Sequence, residues 1–175
     1  MSTRKAQAIY LDFIIGLIIL ILVIALYFKY LPRATAREET ALQEMDMDAK
    51  SIASSLMTAG LPPDWDAGTV QRIGIVEMDN RLNSTKLLRL ANMSYNDAKV
   101  LLGVSRDYYG YFQKNAHVLN ISGICGFGNP AIHPAPAGAN CSFPSMPSSA
   151  TSVIKVERIL IIDNTLARMV ILVWQ

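Results

Sequence analysis

From Phe13 to Phe28 the chain runs sixteen residues without a charge, and thirteen of them are Leu, Ile, Val or Phe. As a helix this run spans about 24 Å, and its flanks extend it to the roughly 30 Å of a bilayer core. Those thirteen side chains favour insertion by about 0.3 to 0.6 kcal/mol each, which outweighs a cost of about 3 kcal/mol for Asp12 at the edge. The segment is therefore expected to enter a membrane. Arg4 and Lys5 precede it and hold the short N-terminus on the cytoplasmic side. Everything beyond Lys29 is then expected outside. Tyr10, Tyr27 and Tyr30 stand where interfacial aromatics belong.

The rest of the 175-residue chain reads as an ordinary soluble domain. Arg4, Lys5 and Asp12 set aside, 14 of the 16 basic residues and 13 of the 14 acidic ones remain, a near balance. Nothing in that balance resembles the basic footprint of a nucleic-acid binder, so no nucleic-acid partner is expected. Two cysteines and two histidines leave little material for a metal cluster, and His117 and His133 lack ligand spacing. No Gly-rich phosphate loop, GxSxG elbow or Ser/His/Asp arrangement is legible. The expectation is a protein that is not an enzyme and carries no cofactor.

Three readings of the N-terminus compete. One is a plain membrane anchor. Another is a cleaved secretory signal, with Ala34-Thr35-Ala36 as its A-x-A site and Arg37 as the new start. That reading has an over-long apolar core, with Lys29 and Arg33 interposed before the site. The third turns on Ser2-Thr3-Arg4-Lys5-Ala6-Gln7, a short basic leader directly before the apolar run. This leader resembles the class III signal peptide of archaeal type IV pilin-like proteins. The resemblance covers about residues 4–31. It implies that a prepilin peptidase cuts between Ala6 and Gln7 on the cytoplasmic side, with Arg4 and Lys5 as the basic flank. The mature protein then keeps its hydrophobic helix. Pilins carry an acidic residue at the fifth mature position, which pairs with a neighbouring subunit's N-terminal amine. Asp12 is sixth, one place later. A carboxylate at the membrane edge still seeks a positive partner; the alternative is an Asp12 simply hydrated at headgroup level.

Leu31-Pro32 predicts a break or kink. Helix is expected to resume to about Ala59, with Leu42, Met45, Ala49, Ile52 and Leu56 forming one apolar stripe. Glu38, Glu39, Glu44, Asp46 and Asp48 lie early in this second helix, where acids suit the dipole. Gly60 and Leu61-Pro62-Pro63 end it. Beyond, Arg72–Glu77 reads as a strand, Asn83 and Ser94 cap short helices to Asn92 and Leu102, and Tyr108–Gln113 and His117–Ile121 read as strands. Val153–Ile162 and Leu166–Trp174 predict a hairpin across Asp163-Asn164-Thr165. Both of its strands are apolar on both faces in places. One face is expected against the long helix, the other under some further cover, a second subunit included. In Tyr108–Phe112 the alternate aromatics are expected in the core, with an adhesive patch as the alternative.

Five of the eight prolines fall between Pro130 and Pro147, which marks a surface loop. Cys125 and Cys141 bracket it. In an exported domain a disulfide is the default, and two buried thiols are the alternative. Asn-x-Ser/Thr occurs at Asn83, Asn92, Asn120 and Asn140, four times where nine Asn and twenty-one Ser or Thr lead to about one by chance. N-glycosylation is therefore expected, as archaeal surface filaments are often decorated; Asn83 is also a natural helix cap.

The expected fold is α+β: a long N-terminal transmembrane and amphipathic helix packed on a C-terminal antiparallel sheet, in a pilin-like layout. The expected division is a leader 1–6, a transmembrane and assembly helix 7–31, an amphipathic helix 32–60 and an exterior head 61–175. The resemblance implies a filament subunit, major or minor. Its partners would be other pilin subunits, prepilin peptidase, an assembly ATPase, a platform protein and the membrane. It would sit in the cytoplasmic membrane before assembly and in a surface filament after. The alternative is a single-pass membrane protein with an exterior partner-binding domain that never polymerises.

Overall fold

The computed structural model describes residues 3–132 and 141–175, with side chains described from 13 to 30 and from Thr40 onward within the first helix. That helix, α1, runs from Thr3 to Leu56. The break expected at Leu31-Pro32 does not occur. Pro32 lacks the N–H that would bond the Phe28 carbonyl, a loss of about 3 kcal/mol in a helix interior. One missing rung does not end a helix with good helix formers on both sides. The chain divides into two compact units, Met1–Ala41 and Leu42–Gln175.

In the second unit, Met45, Ala49, Ile52, Ala53 and Leu56 are buried along one face of α1. This is the expected stripe with one substitution. Leu42 is exposed and Ala53 joins instead. The helix stops three residues before Ala59 and closes with tighter bonds, Met57 N–H to the Ala53 carbonyl and Thr58 N–H to the Ser55 carbonyl. Gly60 then turns the chain at φ +79°, a conformation that favours glycine.

The segment expected as a strand at Arg72–Glu77 is not one. It is extended, but it bonds to the end of α1 rather than to a sheet. Ile75 N–H donates to the Leu56 carbonyl at 3.0 Å and Val76 N–H to the Thr58 carbonyl at 3.1 Å. The Ser55 hydroxyl donates to the Ile73 carbonyl at 2.8 Å. A helix C-terminus leaves carbonyls without partners, and this segment supplies them. Trp65, wholly buried, donates its indole N–H to the Gly74 carbonyl at 2.8 Å.

Two short helices follow as expected, α2 (Ser84–Asn92) and α3 (Tyr95–Leu102). Asn83 caps α2 by accepting from Lys86 N–H, and Ser94 caps α3 by accepting from Asp97 N–H. The sheet contains β1 (Asp107–Lys114), β2 (His117–Val118), β3 (Phe127–Gly128), β4 (Val153–Ile162) and β5 (Thr165–Trp174). The order is β2-β1-β5-β4, with β3 also paired to β1, and every pairing is antiparallel. The second strand is much shorter than His117–Ile121, because Leu119 already leaves the ladder after one further bond to Phe112. The hairpin turns on Asp163 and Asn164, both at positive φ, the pattern of a two-residue loop whose twist matches the strands. With its apolar N-terminal helix and its antiparallel sheet, the chain is α+β.

Both sheet faces are covered by this chain. On one, Tyr108, Phe112, Met169, Ile171 and Val173 pack with Ile52, Ala53 and Leu56. On the other, Tyr109, Tyr111, Val170, Leu172 and Trp174 pack with Ile132, Met146 and Ala150 from the proline-rich loop. The described parts of the loop therefore form a second layer. Phe143 meets the Tyr111 ring edge-on at 6.0 Å between centroids.

Candidate membrane and modification sites

Phe13–Tyr30 is an 18-residue helical stretch with none of its window buried. Its Ile, Leu, Val and Phe side chains project on every side of the helix, and a helix apolar all round belongs in an apolar medium. It is apolar and long enough to cross a bilayer. Lys29 closes it at the C-terminal end, with its ammonium 5.9 Å from the Tyr30 ring centroid. An amphipathic cation beside an aromatic suits a headgroup boundary. Arg4, Lys5, Ala6, Gln7 and Asp12 all lie on α1. Their side chains fall outside the described residues.

Of the acids of the expected second helix, Glu38 and Glu39 have side chains outside the described residues, and Glu44, Asp46 and Asp48 have a different role from the one assigned by the dipole. No helix begins near them, since α1 is already forty residues long there. Glu44 and Asp48 instead hold Arg106, whose Nη2 donates to Glu44 Oε2 at 2.8 Å and whose Nη1 donates to Asp48 Oδ2 at 3.0 Å. Arg106 Nε donates to Gln175 Oε1 at 3.3 Å. The Glu44 bond, and then Asp48, raise the Arg106 guanidinium above its ordinary value. Asp46 pairs with Lys50 one turn on at 2.6 Å. Arg106 thus fastens α1 to the start of β1 and to the C-terminus. Nothing in the sequence singled it out, because its partners lie 58 and 62 residues away.

Lys86 is a second residue that sequence reading missed. It is buried, with its Nζ donating to the Ala59 carbonyl at 2.9 Å. A cation at the end of α1 complements the helix dipole there.

Cys125 and Cys141 are joined, with Cα atoms 5.4 Å apart. The bond forms because both ends of the loop are delivered to strands that pair with β1. Cys125 stands two residues before the first residue of β3, and Cys141 bridges Val118 of β2. Of the four sequons, Asn83 is committed. Its Oδ1 accepts from Lys86 N–H, and its Nδ2 donates to Glu77 Oε1. Asn92 and Asn120 are exposed. Asn140 lies outside the described residues, as does His133. His117 is exposed on β2. Among the described residues there is no group of three or more His, Cys, Asp or Glu able to hold a metal ion.

The Tyr108–Phe112 run divides between the two cores rather than forming a surface patch. Burial raises the phenol of Tyr109 to about 12 and moves Tyr108 and Tyr111 in the same direction. Tyr95 is raised too, first by burial, with its hydroxyl donating to Asp107 Oδ1 at 2.8 Å. These are packed aromatics with their protons held.

The chain matches no family model, no curated protein and no solved structure.

Proposed function

We propose that this chain is a type IV pilin-like subunit of an archaeal surface filament, major or minor, assembled through its hydrophobic N-terminal helix after leader cleavage. The observation that carries the reading is the junction at residues 4–13. A basic leader ending in Lys-Ala-Gln stands directly before a stretch whose apolar side chains are exposed all round. Lipid satisfies such a stretch in a stored subunit, and the same helices of neighbouring copies satisfy it in a filament.

Prepilin peptidase removes residues 1–6 on the cytoplasmic side. The membrane then holds the subunit by Phe13–Tyr30. An assembly ATPase and a platform protein extract it. Helices from many copies bury their apolar faces on one another in place of lipid. Asp12 sits within two turns of the new amine at Gln7 and offers a neighbour's N-terminus a carboxylate where an unpaired charge is costly. The sheet domain forms the outer surface. The role is structural and uses no cofactor.

The deciding experiment is mass spectrometry of the N-terminus of the native membrane and filament protein. A start at Gln7 is expected. A start at Met1 or Ser2 overturns leader processing and leaves a single-pass protein that does not polymerise. A start at Arg37 leaves a secreted domain.

A further inference from the structure

We infer that Asn92 and Asn120 are N-glycan acceptors of the head and that Asn83 is not. The inference rests on the exterior position of the head in the reading above. All three share the Asn-x-Ser/Thr pattern, so the pattern alone does not separate them. What separates them is the amide nitrogen. In the transfer, Asn Nδ2 attacks C1 of an oligosaccharide carried on a lipid phosphate. The C1–Nδ2 bond forms as the C1–O bond to phosphate breaks. The amide gives up one proton, and the lipid phosphate leaves with the bonding pair. The nitrogen must therefore be reachable and uncommitted.

At Asn83 it is committed. The side chain is half-buried, and Nδ2 donates to Glu77 while Oδ1 caps α2. At Asn92, the last residue of α2, the side chain is exposed and makes no hydrogen bond among the described residues. Ser94, which completes that sequon, uses its oxygen as the acceptor at the start of α3 and keeps its hydroxyl proton to donate. At Asn120 the carbonyl oxygen accepts from Gly123 N–H at 2.8 Å. That bond fixes the side chain by its oxygen, and Nδ2 makes no hydrogen bond among the described residues. Asn120 also lines an open polar groove of about 410 Å³ with Ser84, Lys114, Asp163 and Thr165. A sugar ring on Asn120 has both space and hydrogen-bonding partners there.

The test is the intact mass of the full-length protein from its native cells, compared across three variants. Asn92→Gln removes one acceptor. Ser122→Ala breaks the Asn120 sequon without touching the Asn120–Gly123 bond. Thr85→Ala breaks the Asn83 sequon and spares the cap. The first two are expected to lose one glycan increment each, and Thr85→Ala none. An increment lost in Thr85→Ala, or none lost in either of the others, overturns the inference. Protease added to intact cells separates the causes. A head that is cleaved yet bare overturns the glycan inference alone. A head that is protected overturns its exterior position and the inference together.

Discussion

Gly110 sits in the middle of β1 directly under Phe127, and a Cβ built there overlaps the phenyl ring. Gly126 faces the Tyr109 ring just as closely. These glycines let β3 approach β1 so tightly. Gly110→Ala is expected to destabilise the full-length protein in detergent by about 1–3 kcal/mol, the usual cost of overpacking. Thermal unfolding checks this, and the double variant with Phe127→Leu is expected to recover part of the loss. A Gly110→Ala protein as stable as the wild type would show that the two strands separate freely. The sequence carries the glycine but not the reason for it, since Phe127 is seventeen residues away. Local chemistry was more legible. Asn83 and Ser94 were readable as caps because a cap needs only the next three residues. Arg106 and Lys86 were not readable, because each is defined by a partner on a distant element.

Elements repeat this division. The β4–β5 hairpin was legible because a two-residue turn with positive φ selects residues such as Asp163 and Asn164 within the local sequence. Arg72–Glu77 reads as a strand in the sequence, and its middle residues 73–76 are indeed buried, yet its partner is a helix end. Pattern reports burial and not the identity of the partner. Strand β1 is buried on both faces, and that has a consequence at high pH. Burial raises the phenols of Tyr108, Tyr109 and Tyr111, so the folded state holds these protons more tightly than the unfolded chain. Their contribution is fully present below the unfolded value of about 10 and is lost as pH rises above it. For Tyr109 the loss runs toward about 12. Denaturant midpoints are expected to hold up to about pH 10 and to fall beyond it, each unit of pKa difference being worth about 1.4 kcal/mol. Tyrosinate absorbance from these three rings should then appear together with unfolding. Tyrosinate from Tyr108, Tyr109 or Tyr111 that appears at ordinary pH without unfolding would mean that these rings are wet.

At the scale of the whole molecule, the covalent staple and the second layer are one device. The Cys125–Cys141 bond spans sixteen residues, and closing a loop of that size contributes about 3 kcal/mol on the chain-entropy account. Ile132 of that loop belongs to the layer over Tyr109, Tyr111 and Trp174, and its Phe127 to the main core. Replacing both cysteines by serine is therefore expected to cost about 3 kcal/mol and to loosen the cover at Ile132, since Phe127 is also held by the β1–β3 pairing. Tryptophan emission reports the difference, because Trp174 belongs to the covered face and Trp65 to the main core. A red shift matching one of the two tryptophans is expected; an unchanged spectrum and midpoint would show that the loop holds by its packing alone. By itself the sequence determined the apolar helix, the two capped helices, the terminal hairpin and the cysteine pair. Each is set by residues within a turn, a period or a redox compartment. Tertiary structure alone decided that Ile132, Met146 and Ala150 cover the outer sheet face, that residues 73–76 complete the end of α1, and that among the described sequons the Asn83 nitrogen is committed. Each of these depends on groups far apart in the chain competing for the same hydrogen bonds and apolar surface, and no local pattern records who wins.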